Sequence, residues 1–204
     1  IDNLRYDLWI SLKKVIQDYY STTSENLYYS ILPTTTQYSR NSIFAGLMPL
    51  AIEKIHPELW KNDDDDGLKN LYEEEMLVNQ LKRFGYNNKI SFEKVSAVNA
   101  GKKLGEKIKN LLSNQLFVLI YNFVDTLSHS RTEMDLVKEL ASDEATYRSL
   151  TLSWFKHSPL LEAIKTMANE KVKLIITTDH GAIKVNNPVK ILGDRNVTTN
   201  LRYK

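Results

Sequence analysis

The sequence contains no cysteine. A disulfide-stapled secreted scaffold and a thiolate metal centre are therefore both excluded, and a metal ion bound here must draw on Asp, His, Glu or hydroxyl oxygen. No apolar run approaches the roughly 18 to 20 residues needed to cross a bilayer, and no basic-then-apolar leader opens the chain, so membrane insertion is not expected and a cytoplasmic location is. Excess charge of one sign is missing too. Lys and Arg number 27 against 25 Asp and Glu, a formal net charge of +2. That balance is too even to announce a nucleic-acid or membrane surface by field strength, so an anionic substrate must be caught locally. An initiator methionine is absent: the chain opens on Ile1-Asp2-Asn3-Leu4-Arg5-Tyr6-Asp7 and turns helical at once, as a sequence does just after a buried strand. Tyr203-Lys204 closes a polar stretch without a terminal signal, so truncation at both ends is expected.

What is present describes one folded domain over residues 1–204, since 204 residues of which 42% are hydrophobic suffice for a globular core. Leu8, Leu12, Val15, Ile16 and Tyr19 recur at helical spacing. Leu27 to Leu32 reads as a buried strand, ended by Pro33 and the threonines Thr34, Thr35 and Thr36, and a second helical pattern runs through Ile43, Phe44 and Leu47. Asn62 to Gly67 is an acidic loop and Leu68 to Phe84 a helix closing at Gly85, so residues 62–85 read as a helical insertion. Lys89 to Phe92 and Lys94 to Val98 are expected as short strands around a turn, and Lys102 to Leu112 as a helix. Leu116 to Val124 is a continuous apolar stretch, as in a strand covered on both faces, with Asp125 at its end. Val137 to Leu140, Tyr147 to Phe155 and Leu160 to Ala168 are helical, and Val172 to Thr178 is a second fully apolar strand, with Asp179 at its end. Strands alternating with helices predict an α/β fold: a doubly wound, mostly parallel sheet with helices on both faces, whose ligands sit beyond the carboxyl ends of the strands.

Three strands, counting one before Asp2, are thus expected to deliver an aspartate at the carboxyl end: Asp2, Asp125 and Asp179. Any one of them reads equally well as a helix N-cap. Together they converge, and two are paired with histidine, in Asp125-Thr126-Leu127-Ser128-His129 and Asp179-His180-Gly181. Carboxylate and imidazole together suit a divalent cation such as zinc or manganese. The turn Thr34-Thr35-Thr36-Gln37 opens a helix, where the dipole stabilises an attacking alkoxide and a phosphate. The same threonines also serve simply as caps.

Thr36-Gln37-Tyr38-Ser39-Arg40, with Gly46 and Pro49 downstream, is similar in spacing to the nucleophile segment of the alkaline phosphatase and sulfatase superfamily. Asp125-x-x-x-His129 and Asp179-His180-Gly181 resemble the metal-ligand segments that follow in that superfamily, in the same order, and Asp2 matches its first ligand. The stretches Ile1 to Asp7, Pro33 to Pro49, Asn122 to Glu133 and Ile176 to Gly181 look like the PglZ domain, and specifically like the effector domain of PorX-type response regulators, linked to type IX secretion in Bacteroidetes. The resemblance implies an alkaline-phosphatase-like fold and a nucleophile at Thr36, chosen over Thr34 and Thr35 by its spacing to Ser39-Arg40. It implies that Asp2, Thr36, Asp179 and His180 hold one metal while Asp125 and His129 belong to another, with two zinc ions expected and manganese as the alternative. A further histidine that the family places on the second metal has no counterpart here and is expected beyond Lys204.

The implied chemistry is hydrolysis of phosphate esters, with oligonucleotides, cyclic ones among them, as the suggested substrate class. Two cations, commonly about 3.5 to 4 Å apart, stabilise the attacking and leaving oxygens. Arg40 or Arg5 would hold nonbridging oxygens, with Asn3 as another phosphate contact. Sulfate-ester hydrolysis is disfavoured because sulfatases carry a modified cysteine or serine where Thr36 stands. The competing reading is a binding module that docks secretion or transcription partners, and a homodimer is compatible with either. His157 and His56 are expected to be structural, Asp63 to Asp66 to form a solvated turn rather than a calcium loop, and most of the tyrosines to pack in the core or an interface.

Overall fold

Leu8, Leu12 and Ile16 stand four residues apart, and in the computed structural model they form the buried stripe of an 11-residue helix, α1 (Tyr6–Ile16). The structure describes residues 1–62, 65–95, 104, 107–183, 185–187 and 189. The chain divides into two compact units, the first made of Ile1–Tyr28 and Asn88–Thr178, the second of Tyr29–Asn87 and Asp179–Lys204.

In the first unit, α1 packs on α8 (Glu144–Lys156). Tyr147, Thr151 and Phe155 recur every four residues along α8 and are buried, while Asp143 caps it by accepting the Thr146 N–H at 2.7 Å. The next helix, α9 (Pro159–Asn169), starts the same way: Ser158 accepts the Leu161 N–H, and Pro159 occupies a first-turn position where no N–H is needed. Leu160, Leu161, Ile164 and Met167 complete a core that also holds Leu4, Val95, Ile108 and Tyr121. Each such side chain contributes about 1.5 to 3 kcal/mol by leaving water.

The sheet of this unit is a parallel pair, β1 (Ile90–Val95) and β2 (Leu116–Tyr121), in register from Ile90 opposite Leu116 to Val95 opposite Tyr121. A parallel pair needs a crossover, and the described part of that crossover includes a helix, α5, over residues 107–111. Beyond β2 the chain turns at Asn122 into α6 (Phe123–Glu133), followed by α7 (Asp135–Leu140).

The second unit carries α2 (Thr36–Ala45), α3 (Pro49–Ile55), a 3-10 turn at Pro57–Leu59 and α4 (Glu73–Arg83). Ala45, Ile52, Leu59, Trp60 and Met76 form its small core, with the Tyr38 ring edge-on to Trp60 at 5.7 Å. Helix α2 ends at Gly46, whose φ of 59° is the left-handed cap that favours glycine.

Several expected elements differ. Leu27 to Leu32 is not a buried strand: no ladder is assigned to it, and Leu27, Tyr28, Tyr29 and Leu32 are exposed. Among the described residues no backbone pairs with it as a strand. Val172 to Thr178 is extended but carries no assigned ladder, and half-buried residues alternate with exposed ones, Ile175 being 76% exposed. One face is covered, not two. Strand β2 likewise is only half-buried over Phe117 to Leu119 and stops at Tyr121, so Asp125 lies in the first turn of α6 and not at a strand end. Instead of two strands around a turn, one strand runs unbroken from Ile90 to Val95, because its backbone pairs with β2 throughout. Helix α4 begins at Glu73 rather than Leu68, and parts of three expectations, at residues 63–64, 96–98 and 102–106 apart from Leu104, lie outside the described residues. Among the described residues no helix is long and apolar enough to cross a membrane.

Candidate functional site

In the first unit, the segments that end at Asp2, Tyr121 and Thr178 meet. The Asp2 N–H donates to the Tyr121 carbonyl at 3.0 Å, Ile1 N donates to the Thr177 carbonyl at 2.9 Å, and the Leu4 N–H donates to Thr178 Oγ1 at 2.9 Å. The first of these bonds holds buried Asp2 beside the end of β2. Asn3 bends the backbone there, with a φ of 57°, and its amide donates to Asp125 Oδ1 at 3.2 Å. Asn is among the few residues that adopt this conformation at modest cost. Asp125 and His129 share one face of α6, with His129 Nε2 3.5 Å from Asp125 Oδ2 and the histidine side chain 57% exposed. The amide of Asn3, read from the sequence as a phosphate contact, is hydrogen-bonded to a carboxylate in the structure.

Arg5 is likewise occupied. Its guanidinium meets Asp7 and Glu144, each at 2.5 Å, and lies over the Tyr147 ring. The hydrogen bonds it donates to Asp7, and the neighbouring Glu144, hold it protonated well above the usual arginine range, despite partial burial. Burial favours the neutral forms of Asp7 and Glu144, but the guanidiniums of Arg5, Arg148 and Arg131 outweigh it and leave both carboxyls below their ordinary range.

In the second unit, Thr36 is the first residue of α2, and its Oγ1 lies 3.1 Å from His180 Nε2. His180 Nε2 is 3.9 Å from Asp179 Oδ2. Both residues are nearly inaccessible, at 2% and 3%. The other ring nitrogen of His180, Nδ1, lies 3.2 Å from the Gly181 carbonyl and donates to it in the neutral ring, which turns the Nε2 lone pair toward Thr36. Ser30 braces the same place: its hydroxyl donates to the Asp179 carbonyl at 2.7 Å and lies 2.9 Å from Ser39 Oγ. Thr35 Oγ1 is buried and has no hydrogen-bond partner among the described residues, so of the neighbouring threonines it is Thr36 that faces the imidazole.

Arg40, one turn along α2, is buried. Its Nε donates to Glu73 Oε1 at 2.5 Å and its Nη1 lies 3.9 Å from Asp179 Oδ2. Asn70 donates to the Thr36 carbonyl at 3.0 Å and to Asn41 Oδ1 at 2.9 Å. The sequence reading missed Glu73 and Asn70. A signal for Glu73 existed: Met76 and Leu77 stand three and four residues on, which puts its carboxylate on the buried face of α4.

The donor chemistry of the second unit suits a divalent cation. Hydroxyl, imidazole and carboxylate are grouped at 3.1 and 3.9 Å, near the edge of about 3.3 Å that follows for a tetrahedral shell with bonds of about 2.0 to 2.1 Å. A histidine whose other N–H rests on a carbonyl is the usual state of a metal ligand. His157, at the C-terminus of α8, is exposed, and His56 links α3 to the 3-10 turn, so neither joins this group.

The family model described as the BREX system PglZ alkaline phosphatase-like domain matches residues 1–203. No curated protein matches the chain.

Proposed function

The chain belongs to the PglZ alkaline-phosphatase-like family, a membership that carries an α/β fold and metal-dependent hydrolase chemistry at the level of the superfamily, and from that premise we propose that it is a phosphoesterase with Thr36 as nucleophile. The observation that supports the reading is the grouping of Thr36 Oγ1, His180 Nε2 and Asp179 Oδ2 in one buried place. On the family resemblance, Asp2 joins Thr36, Asp179 and His180 as ligands of one ion, and Asp125 and His129 serve a second. Zinc fits this oxygen and nitrogen set, with manganese as the alternative. When bound, such ions lower the pKa of a coordinated hydroxyl and stabilise developing charge on the attacking and leaving oxygens.

The residues themselves divide the work. The Thr36 oxygen attacks phosphorus in line with the ester oxygen that leaves, and the start of α2 favours the added negative charge. The first alcohol leaves with a proton made good by the one the Thr36 hydroxyl gives up, a phosphothreonine still esterified to the second alcohol results, and water then attacks the same phosphorus, returning the threonine hydroxyl and releasing a phosphomonoester. Arg40 adds positive charge beside Asp179. Diesters are the proposed substrates, oligonucleotides and their cyclic forms among them, in a cytoplasmic response-regulator effector of the PorX kind with type IX secretion partners. That finer assignment is supported by the sequence resemblance of residues 1–7, 33–49, 122–133 and 176–181.

The test is elemental analysis of the purified chain beside an Asp179→Ala, His180→Ala double variant. One or two zinc or manganese ions per chain, lost in the variant, support the site and justify a diester assay. Failure to retain metal even after zinc is supplied sinks the enzymatic reading for this chain and brings the binding-module reading forward.

A further inference from the structure

Tyr6, Trp9 and Lys13 stand three and four residues apart on α1, beside its buried stripe of Leu8, Leu12 and Ile16. Their donors converge on one carboxylate. The Tyr6 hydroxyl donates to Glu25 Oε1 at 3.2 Å, the Lys13 ammonium to Glu25 Oε2, and the Trp9 side chain, whose only donor is the indole N–H, bonds the same group. The hydrogen bond from Lys13, ahead of those from Trp9 and Tyr6, holds the Glu25 carboxyl below its ordinary range. Glu25 itself comes from residues 21–28, which are exposed throughout and have no regular secondary structure. An anion receptor of three donors is thus filled by a carboxylate of the chain's own surface.

The same four residues line a cavity of about 570 Å³, bounded by α1, residues 20–28 and the extended run 173–178, all within the first unit. That volume suits a small organic ligand. Tyr20 and Tyr28 add to the aromatic surface that Tyr6 and Trp9 supply. Among the described residues its charged lining is Lys13, Lys173 and Glu25, so with Glu25 turned out two cations face no anion.

We propose that this cavity is a binding site for an aromatic phosphomonoester such as a purine mononucleotide, with the phosphate in the place of the Glu25 carboxylate and the ring against the Trp9 and tyrosine side chains. The charge count selects phosphate: a phosphomonoester carries about −1.5 to −2 at neutral pH, which two lysines match, whereas a carboxylate leaves one of them unanswered. The walls select a ligand with a π face, because bases stack on such side chains. Glu25 is then an internal competitor, and it lowers the apparent affinity by the fraction of molecules in which it holds the receptor. The inference is independent of the phosphoesterase reading, since it uses none of Thr36, Asp179 and His180.

The experiment is isothermal titration calorimetry with adenosine monophosphate (AMP), adenosine and inorganic phosphate, with EDTA present so that a metal-bound phosphate does not contribute. The proteins are the wild-type chain, Glu25→Gln, Lys13→Met, Lys173→Met and Asp179→Ala with His180→Ala. AMP is expected to bind the wild type more tightly than either half of the molecule does. Glu25→Gln should bind it about two- to fivefold more tightly, the span of an exposed ion pair. Lys13→Met should bind it about tenfold or more weakly, having lost a charge-assisted hydrogen bond. If Glu25 is only a structural latch, its removal gives no gain, so a Glu25→Gln protein that binds AMP no better than wild type overturns the proposal. Lys173 is exposed, and Lys173→Met should weaken AMP about twofold or more without changing adenosine. That variant decides the matter should Lys13→Met or Glu25→Gln fail to fold, and an unchanged AMP affinity in it refutes the site. Phosphate binding as tightly as AMP refutes the ligand class. AMP binding kept in Asp179→Ala, His180→Ala supports the cavity whatever that variant does to metal, and its loss there assigns the ligand to the other group and removes this inference.

Discussion

Thr36 Oγ1 lies 3.1 Å from His180 Nε2, joining two residues 144 positions apart in the chain. With the Nδ1 hydrogen directed to the Gly181 carbonyl, Nε2 accepts and the Thr36 hydroxyl donates. Thr36→Ala should therefore abolish diester hydrolysis, lowering kcat by about 10³-fold or more, while Thr36→Ser keeps measurable turnover. Thr35→Ala should leave the rate near wild type, since it is the Thr36 hydroxyl that meets the imidazole. A steady-state assay with a chromogenic phosphodiester separates the three, and a dead Thr35→Ala beside an active Thr36→Ala would move the nucleophile.

Asn3 holds a left-handed backbone while its amide binds Asp125. Asn3→Ala loses both the hydrogen bond and a residue type that tolerates this φ. Asn3→Gly loses only the hydrogen bond. Denaturant unfolding should find the alanine variant less stable than the glycine variant by about 1 kcal/mol. Equal stabilities would mean that the backbone relaxes once the side chain is gone.

Gly46 caps α2 with a φ of 59°, and a Cβ there would run into the Gln80 side chain. Gly46→Ala should cost about 1 to 2 kcal/mol from the left-handed backbone alone, read as a fall in Tm. Because α2 carries Thr36 and Arg40, hydrolysis should fall with it.

Asp7 and Glu144 have carboxyls held below their ordinary range by Arg5, Arg148 and Arg131. Groups whose folded pKa is depressed stabilise the fold above their unfolded values, about 3.9 for Asp and 4.3 for Glu, and lose that contribution as pH falls through the folded values. Tm should accordingly be insensitive to these two groups above about pH 5 and fall below about pH 4. Both side chains are about one-third exposed, so each contributes no more than about 1 kcal/mol. The variant Asp7→Asn, Glu144→Gln should melt lower at neutral pH with a shallower acid limb, and an unchanged limb would place the acid sensitivity elsewhere.

How far the sequence could be read depended on the range of the interaction involved. Helices α1, α8 and α9 were legible because their apolar residues repeat within one element, and a helix satisfies its own backbone hydrogen bonds. Leu27 to Leu32 and Val172 to Thr178 were misread for the complementary reason. Their composition suits a strand, but a strand exists only where another backbone pairs with it, and composition does not say whether one does.

By itself the sequence determined the inventory of chemistry: no thiol, a threonine ahead of Ser39-Arg40, Asp125 four residues from His129, and Asp179 next to His180. That Asp125 and His129 share one helical face came from the structure, which continues helix α6 through both where the sequence was read as a strand ending at Asp125. Only the tertiary structure decided which partner each group takes. Glu73 reaches Arg40 across 33 residues and Asn3 reaches Asp125 across 122. Arg5, equally plausible in the sequence as a phosphate contact, is drawn into the carboxylates of Asp7 and Glu144. A charge or amide takes the partner that folding brings within about 3 Å, and that proximity is a property of packed helices and paired strands, with no trace in the spacing of residues along the chain.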